Sequence, residues 1–223
     1  MAKANIKEEK LQKEEMAATI SQAEVFYNEH RKTIWGVIIC VLAVGLLILG
    51  YSKFIYAPAA KEAQEAAFPA EMSFQQGEFE LALNGDGNFL GFAQIVDEYG
   101  AKAGKAVYLY AGACNAQLGN WEEALSYLKK YNGKDPILAA RALALQGDCY
   151  SALENYSKAV KLYEKAAAQA DNMFAAAYLV KAGQVYLELG ENAKALKAFE
   201  TVKDKYPQSI EGYEIDKYIN LAK

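Results

Sequence analysis

The residues of this 223-residue chain that could do chemistry are few. Gly85, Gly87 and Gly91, with Asp86 among them, could cradle a phosphate or hold a cation. Their spacing is GxGxxxG, not the dinucleotide fingerprint, and no strand precedes them. Asp86 and its neighbours Asn84 and Asn88 lack the further carboxylates of an EF-hand loop, so a turn between helices is expected. His30 is the only histidine. No His-pair metal site and no Ser-His-Asp set can therefore form in the soluble part of the chain. Glu122 and Glu123 point to different helix faces and read as solvated charge. The 16 tyrosines fall mostly at helix packing positions. No catalytic residue, metal site or cofactor is expected, and the chain reads as a non-enzyme.

The elements that would position any site begin with an apolar run. Thr33 to Ser52 are 20 residues without a charge, enough helix to span a hydrocarbon core of about 30 Å. Trp35 stands at one end and Tyr51, Phe54 and Tyr56 at the other, as interfacial anchors do. A signal peptide has a shorter run and no 32-residue charged segment before it, so an uncleaved anchor is expected. Arg31 and Lys32 against Lys53 and Lys61 favour a cytoplasmic N-terminus. Gly36, Gly45 and Gly50 show no GxxxG spacing. Before the run lies a Lys- and Glu-rich tail. In it Met16, Ile20, Ala23 and Tyr27 share one helical face, which could extend the membrane helix, lie along a partner or rest on the membrane interface.

Residues 1–32 carry six basic and six acidic side chains, and from Ala57 onward there are 17 basic and 22 acidic. An acidic soluble domain repels phosphate backbones, which argues against nucleic acid as a partner.

That domain is periodic. Gly112, Gly147 and Gly183 are 35 and 36 residues apart, as are Ala124, Ala159 and Ala195. Gly119-Asn120-Trp121, Glu154-Asn155-Tyr156 and Gly190-Glu191-Asn192 fall at matching places. The small residues allow two helices to pack closely, Leu128, Tyr163 and Phe199 fill the gap to the next repeat, and Pro136 and Pro207 end second helices. With Tyr108, Ala111, Tyr150, Leu179, Ala182 and Tyr186 this pattern resembles the tetratricopeptide repeat. Asn115, Gln146 and Asp171 depart from it. Cys114 and Cys149 lie one repeat apart. Equivalent positions on stacked helices sit about 9–10 Å apart, beyond the roughly 7 Å reach of a disulfide, so free thiols are expected. Cys40 reads as a small hydrophobe in the apolar run.

The expected fold class is all-α: an N-terminal transmembrane helix followed by a tetratricopeptide-type helical-hairpin solenoid. The expected divisions are a charged tail with a juxtamembrane helix (1–32), the transmembrane helix (33–56), a degenerate N-terminal repeat (57–104), three repeats (105–208) and a capping helix (209–223). Gly77-Glu78-Phe79 and Ala82 mark the degenerate unit. Phe89, Phe92, Ile95, Val96 and Tyr99 mark a helix after the Asn84–Asn88 break. Ser209 caps the last helix, whose Tyr213, Tyr218, Ile219 and Leu221 would cover the solenoid end.

This layout is similar to that of YfgM-like proteins, ancillary subunits of the bacterial SecYEG translocon. The stretches Leu83-Asn84-Gly85-Asp86-Gly87-Asn88, Gly91-Phe92, Glu98-Tyr99-Gly100 and Lys102-Ala103-Gly104 resemble a Bacteroidetes-type block. The resemblance implies an inner-membrane, single-pass protein with a cytoplasmic N-terminus and a periplasmic repeat domain. It also implies partners among translocon subunits, periplasmic chaperones or translocating clients. The alternative is a structural subunit or regulator of another envelope complex. The tetratricopeptide resemblance places a protein-binding groove on the first helices: Leu109, Ala113 and Gln117; Arg141, Ala144 and Asp148; Val180, Gln184 and Leu187. That face is nearly neutral and rather apolar, which suits an unfolded or amphipathic segment. It remains open whether these are ordinary packing positions, or whether the C-terminal helix fills the groove.

Overall fold

The computed structural model describes residues 24–169 and 171–223, and of residues 2–23 the helical backbone alone. Met16, Ile20 and Ala23 of the expected amphipathic face, and the charged tail before them, lie outside the described residues. Among the described residues the regular elements are helices, apart from one isolated bridge between Gly85 and Leu90. The chain divides into two compact units, Met1–Ala57 and Pro58–Lys223.

The first unit is helix α1 (Ala2–Tyr51) followed by a π-helical turn, Ser52–Tyr56. Its apolar stretch is long enough to cross a membrane, and none of it is buried against protein. Trp35, Tyr51, Phe54 and Tyr56 are exposed. The Trp35 Nε1–H donates to the Tyr27 hydroxyl at 3.0 Å. Nothing would crowd a Cβ at Gly36, Gly45 or Gly50.

The second unit is a stack of helical hairpins. Helices α2 (Ala57–Gln75) and α3 (Phe79–Asn84) form an incomplete first hairpin. Helix α4 (Phe92–Tyr99) and a 3-10 turn (Gly100–Ala103) follow. Then come α5 (Lys105–Gln117) with α6 (Trp121–Leu128), α7 (Pro136–Ala152) with α8 (Tyr156–Gln169), and α9 (Phe174–Glu188) with α10 (Asn192–Lys205). Helix α11 (Ile210–Leu221) closes the stack.

Each hairpin turn is closed in the same way. One residue takes the left-handed conformation: Gly77, Gly119, Glu154 or Gly190. Its N–H bonds three residues back, and the next N–H bonds five residues back, as in Glu78 to Ser73 (2.9 Å), Asn120 to Asn115 (2.9 Å), Asn155 to Tyr150 (2.7 Å) and Glu191 to Tyr186 (2.8 Å). This is the Schellman closure, which satisfies the last carbonyls of the first helix. The incomplete hairpin shares it. Five residues after each turn stands an alanine of the second helix, Ala82, Ala124, Ala159 or Ala195, each fully buried.

Two expectations need correction, and another needs an addition. Leu128, Tyr163 and Phe199 each lie over the glycine of their own hairpin, and Tyr163 and Phe199 also meet the next element, at Lys181 of α9 and Tyr218 of α11. A Cβ on Gly112 would stand 2.6 Å from Leu128 Cγ, and one on Gly147 would stand 2.7 Å from Tyr163 Cε1. Pro136 does not end α6, which stops at Leu128. It is the first residue of α7, capped by Asp135, whose Oδ1 accepts from the Leu138 N–H at 2.8 Å. Proline suits that position because its missing N–H would have no helical partner there. On α11, Ile215 and Ile219 are buried and Tyr218 packs on Phe199, whereas Tyr213 and Leu221 are 79% and 67% exposed. The buried stripe follows the 3.6-residue period from Ile215, which leaves Tyr213 and Leu221 on the outer face.

The Asn84–Gly91 segment is a turn, held by Asp86. Its carboxylate accepts the N–H groups of Asn88 (2.8 Å) and Phe89 (3.2 Å) and the Asn88 side-chain amide (3.1 Å). Helix α4 starts at Phe92 and not at Phe89, because Gly91 packs against the Leu83 carbonyl and its N–H is capped by Gln94. Asn115, which departs from the repeat pattern, is buried with its amide donating to the Ala111 carbonyl at 2.9 Å. Cys114 and Cys149 are buried free thiols.

Candidate protein-binding groove

Measured back from each turn residue, Leu109, Ala144 and Val180 occupy one position of the first helices, and Ala113, Asp148 and Gln184 another. The first position is buried in all three hairpins. It joins the first helix to the core. The second changes along the stack, from buried Ala113 through half-buried Asp148 to exposed Gln184. Gln117 is exposed near the end of α5, and Leu187 is half-buried against the core. Arg141 is exposed on α7.

The face carries two pockets of opposite character. One, of ≈ 230 Å³, lies between α5 and α7 and is lined by Phe74, Ala106, Leu109, Tyr110, Ala113, Leu138 and Arg141. Its aromatic wall is rigid: Tyr110 stacks on Phe92 at 5.1 Å and meets Phe74 edge-on at 5.1 Å. Burial holds the Tyr110 hydroxyl above its ordinary pKa. The charge of Glu71 adds to that, and Arg141 opposes it. Arg141 has no ion pair among the described residues.

The other pocket, of ≈ 440 Å³, lies between α7 and α9 and is polar, with Asp148, Ser151, Lys181, Gln184 and Glu188 around it. Lys181 Nζ reaches both oxygens of Asp148, at 2.6 and 2.8 Å. The Tyr163 hydroxyl donates to Asp148 Oδ1 at 2.7 Å. Burial first, and the Asp148 charge second, push the Tyr163 pKa well up, so the hydroxyl stays a donor. Asp148 is thus occupied within the fold and pins the second repeat to the third.

Of the nine expected groove residues, Leu109, Ala113 and Arg141 meet in the apolar pocket, and Asp148 and Gln184 meet in the polar one. Gln117, Ala144, Val180 and Leu187 line neither. Helix α11 contributes to neither pocket. Phe74, Tyr110, Leu138, Tyr163 and Lys181 line them and were not expected to. Tyr110 and Lys181 share one register, next to the Leu109 and Val180 position, so widening each stripe by one residue would have found them. No comparable signal pointed to Phe74, because the first hairpin is incomplete. Among the described residues no three His, Cys, Asp or Glu side chains come together as a metal site.

Residues 106–136 and 177–209 match one family described as tetratricopeptide repeat, and residues 142–173 match a second of the same description. The hairpins α5–α6, α7–α8 and α9–α10 are the ones matched as tetratricopeptide repeats. The chain is also similar in fold to two crystal structures of MamA. One is 21% identical with a TM-score of 0.53, covering 74% of this chain and 86% of that one. The other is 22% identical with a TM-score of 0.52, covering 69% and 91%. No curated protein matches the sequence. The tetratricopeptide hairpins explain the recurring pairs: a small residue in the first helix and a large one in the second make a knob and hole inside each repeat. Protein partners are what such repeats bind, through the exposed faces that stacking leaves.

Proposed function

We propose that this chain is a single-pass membrane protein whose tetratricopeptide domain binds other proteins through its first-helix face and catalyses nothing. The observation that carries this reading is the apolar pocket between α5 and α7, open beside an unpaired arginine. A stretch of α1 that is apolar and unburied supports the anchor. In this reading residues 33–56 span the membrane with Trp35, Tyr51, Phe54 and Tyr56 at its two surfaces. Residues 1–32 form a cytoplasmic tail, 57–104 the degenerate repeat, 105–208 three full repeats and 209–223 the cap. The layout and the Leu83–Gly104 stretch favour an ancillary subunit of the Sec translocon in a bacterial inner membrane. Its repeats would then face the periplasm and meet chaperones or emerging clients.

The test is to extract the full-length protein gently from its native membrane and identify the copurifying proteins by mass spectrometry. Translocon subunits should be recovered, and should be lost when residues 33–52 are replaced by an unrelated membrane helix. Ala106→Glu with Gln184→Glu, both at exposed positions, should remove groove-bound partners while the fold remains. If partners survive the groove variants with melting unchanged, the membrane helix makes the main contact and the protein is a structural subunit. Recovery of a different complex would retire the translocon assignment.

A further inference from the structure

The apolar pocket specifies the chemistry of what it holds. We propose that it takes a partner segment bearing an apolar side chain beside a carboxylate, the side chain entering between Phe74, Leu109 and Leu138 and the carboxylate meeting Arg141. The inference rests on the reading of the first-helix face as the partner-binding face.

Size comes first. At ≈ 230 Å³ the pocket falls below the roughly 300–1,000 Å³ of sites that enclose small molecules. It is the size of one large side chain. Wall chemistry comes second. Phe74, Ala106, Leu109, Ala113 and Leu138 offer no polar side-chain atom, and the polar groups are the Tyr110 hydroxyl and the Arg141 guanidinium. An apolar side chain gains by entering, and its backbone stays at the rim.

Charge decides the rest. Arg141 is an exposed cation without an ion pair among the described residues, on a domain with 17 basic and 22 acidic side chains. Lys181, in the next pocket, is already taken by Asp148. The field of Arg141 reaches Tyr110 of α5 and Tyr178 of α9. A guanidinium offers a planar fork that fits a carboxylate with two parallel hydrogen bonds. Beside it Ile137 and Leu138 add apolar surface that is 44% and 39% exposed. Apolar anchor and carboxylate must therefore lie close together in the bound segment.

The experiment selects random peptides displayed on phage against the full-length protein in lipid nanodiscs. On the wild type, enriched peptides should carry an apolar residue within two positions of Asp or Glu. An enriched peptide should bind about ten-fold more tightly than its Asp→Asn or Glu→Gln counterpart. On Arg141→Gln that ratio should fall to about one, with the apolar preference kept. On Ala106→Trp, which fills the pocket, binding should be lost. Arg141 and Ala106 are exposed, and an unchanged melting curve shows that the variants fold. Enrichment of no peptide, of peptides without an acid, or an acid preference that survives Arg141→Gln would overturn the proposal. If that happens while Ala106→Glu still strips partners from the native complex, the carboxylate pairing falls and the partner-binding face stands.

Discussion

The ring of Phe199 on α10 occupies the space where a Cβ on Gly183 of α9 would lie, so the two helices approach until ring meets backbone. The same relation joins Gly147 to Tyr163 and Gly112 to Leu128. Phe199 and Leu128 are fully buried, and Tyr163 nearly so. Burying a side chain of this size stabilises by about 1.5–3 kcal/mol, and the glycine is what permits it.

Gly183→Ala should therefore destabilise the repeat domain by about 2 kcal/mol, in the range of over-packed cores. Helix propensity alone predicts the opposite sign, a gain of about 1 kcal/mol. Urea unfolding followed by circular dichroism separates the two. Adding Phe199→Leu to Gly183→Ala should recover part of the loss, and a loss that persists in full would mean the ring is not the obstacle.

Glu154 is the non-glycine residue with a left-handed backbone, at φ 57°, among the described residues. Its counterparts in the other full repeats are Gly119 and Gly190. A side chain in that conformation costs about 1–2 kcal/mol, offset in part by the greater entropy that glycine loses on folding. Glu154→Gly should raise stability by about 0.5–1 kcal/mol. A lower thermal midpoint than wild type would contradict this.

Asp148 receives hydrogen bonds from Lys181 and Tyr163. The Lys181 side chain is 42% exposed and that of Asp148 is 29% exposed, so solvent screens the ion pair and Lys181→Met should cost less than about 1 kcal/mol. Tyr163 is buried, and its bond to a carboxylate is charge-assisted. Asp148→Ala, which leaves that hydroxyl without its acceptor, should cost about 1–3 kcal/mol. Equal losses for Asp148→Ala and Lys181→Met would show that the ion pair to the next repeat, not the tyrosine bond within the hairpin, carries the contribution of Asp148.

Stability should fall in alkali. Burial pushes the thiol of Cys114 up to about 12 and that of Cys149 up to about 11, from an ordinary 9.0. Tyr206, whose hydroxyl donates to Asp171 at 2.5 Å, is pushed up to about 12 from 10.0. These groups have folded values above their unfolded ones, so the unfolded chain releases protons first. Their contribution is complete below pH 9 and is lost as pH rises through 11 to 12. Urea midpoints should be level from pH 7 to 9 and drop above it; a rise with pH would reverse the sign.

Much of the fold was legible in the residues. The intervals of 35 and 36 between Gly112, Gly147 and Gly183 imply stacked hairpins, because a small residue recurring at one helical position has use only where another helix comes close. The charge-free run from Thr33 to Ser52 implies a helix long and apolar enough to cross a membrane. Ser209 was recognisable as a cap, and its Oγ accepts the Gly212 N–H at 3.0 Å. These are local or periodic signals, carried by residue type and spacing alone.

Tertiary structure decided what no spacing encodes. Pro136 could end one helix or begin the next, and only the early stop of α6 at Leu128 made it a beginning. Tyr213 and Ile215 are both apolar enough to cover the stack, and the rotation of α11 against α10 chose Ile215. Leu109, Arg141 and Phe74 come from three helices, and one pocket forms from them because hairpin stacking brings α2, α5 and α7 together. Asp148 reads in the sequence as a free acid on the groove face, yet Lys181, 33 residues further on, neutralises it. The sequence by itself determined the repeats, their turns and the apolar helix, since those follow from the period of one strand of chain. Which side chains meet across the repeats was settled by packing, because neighbours in space are set by helix rotation and stacking angle.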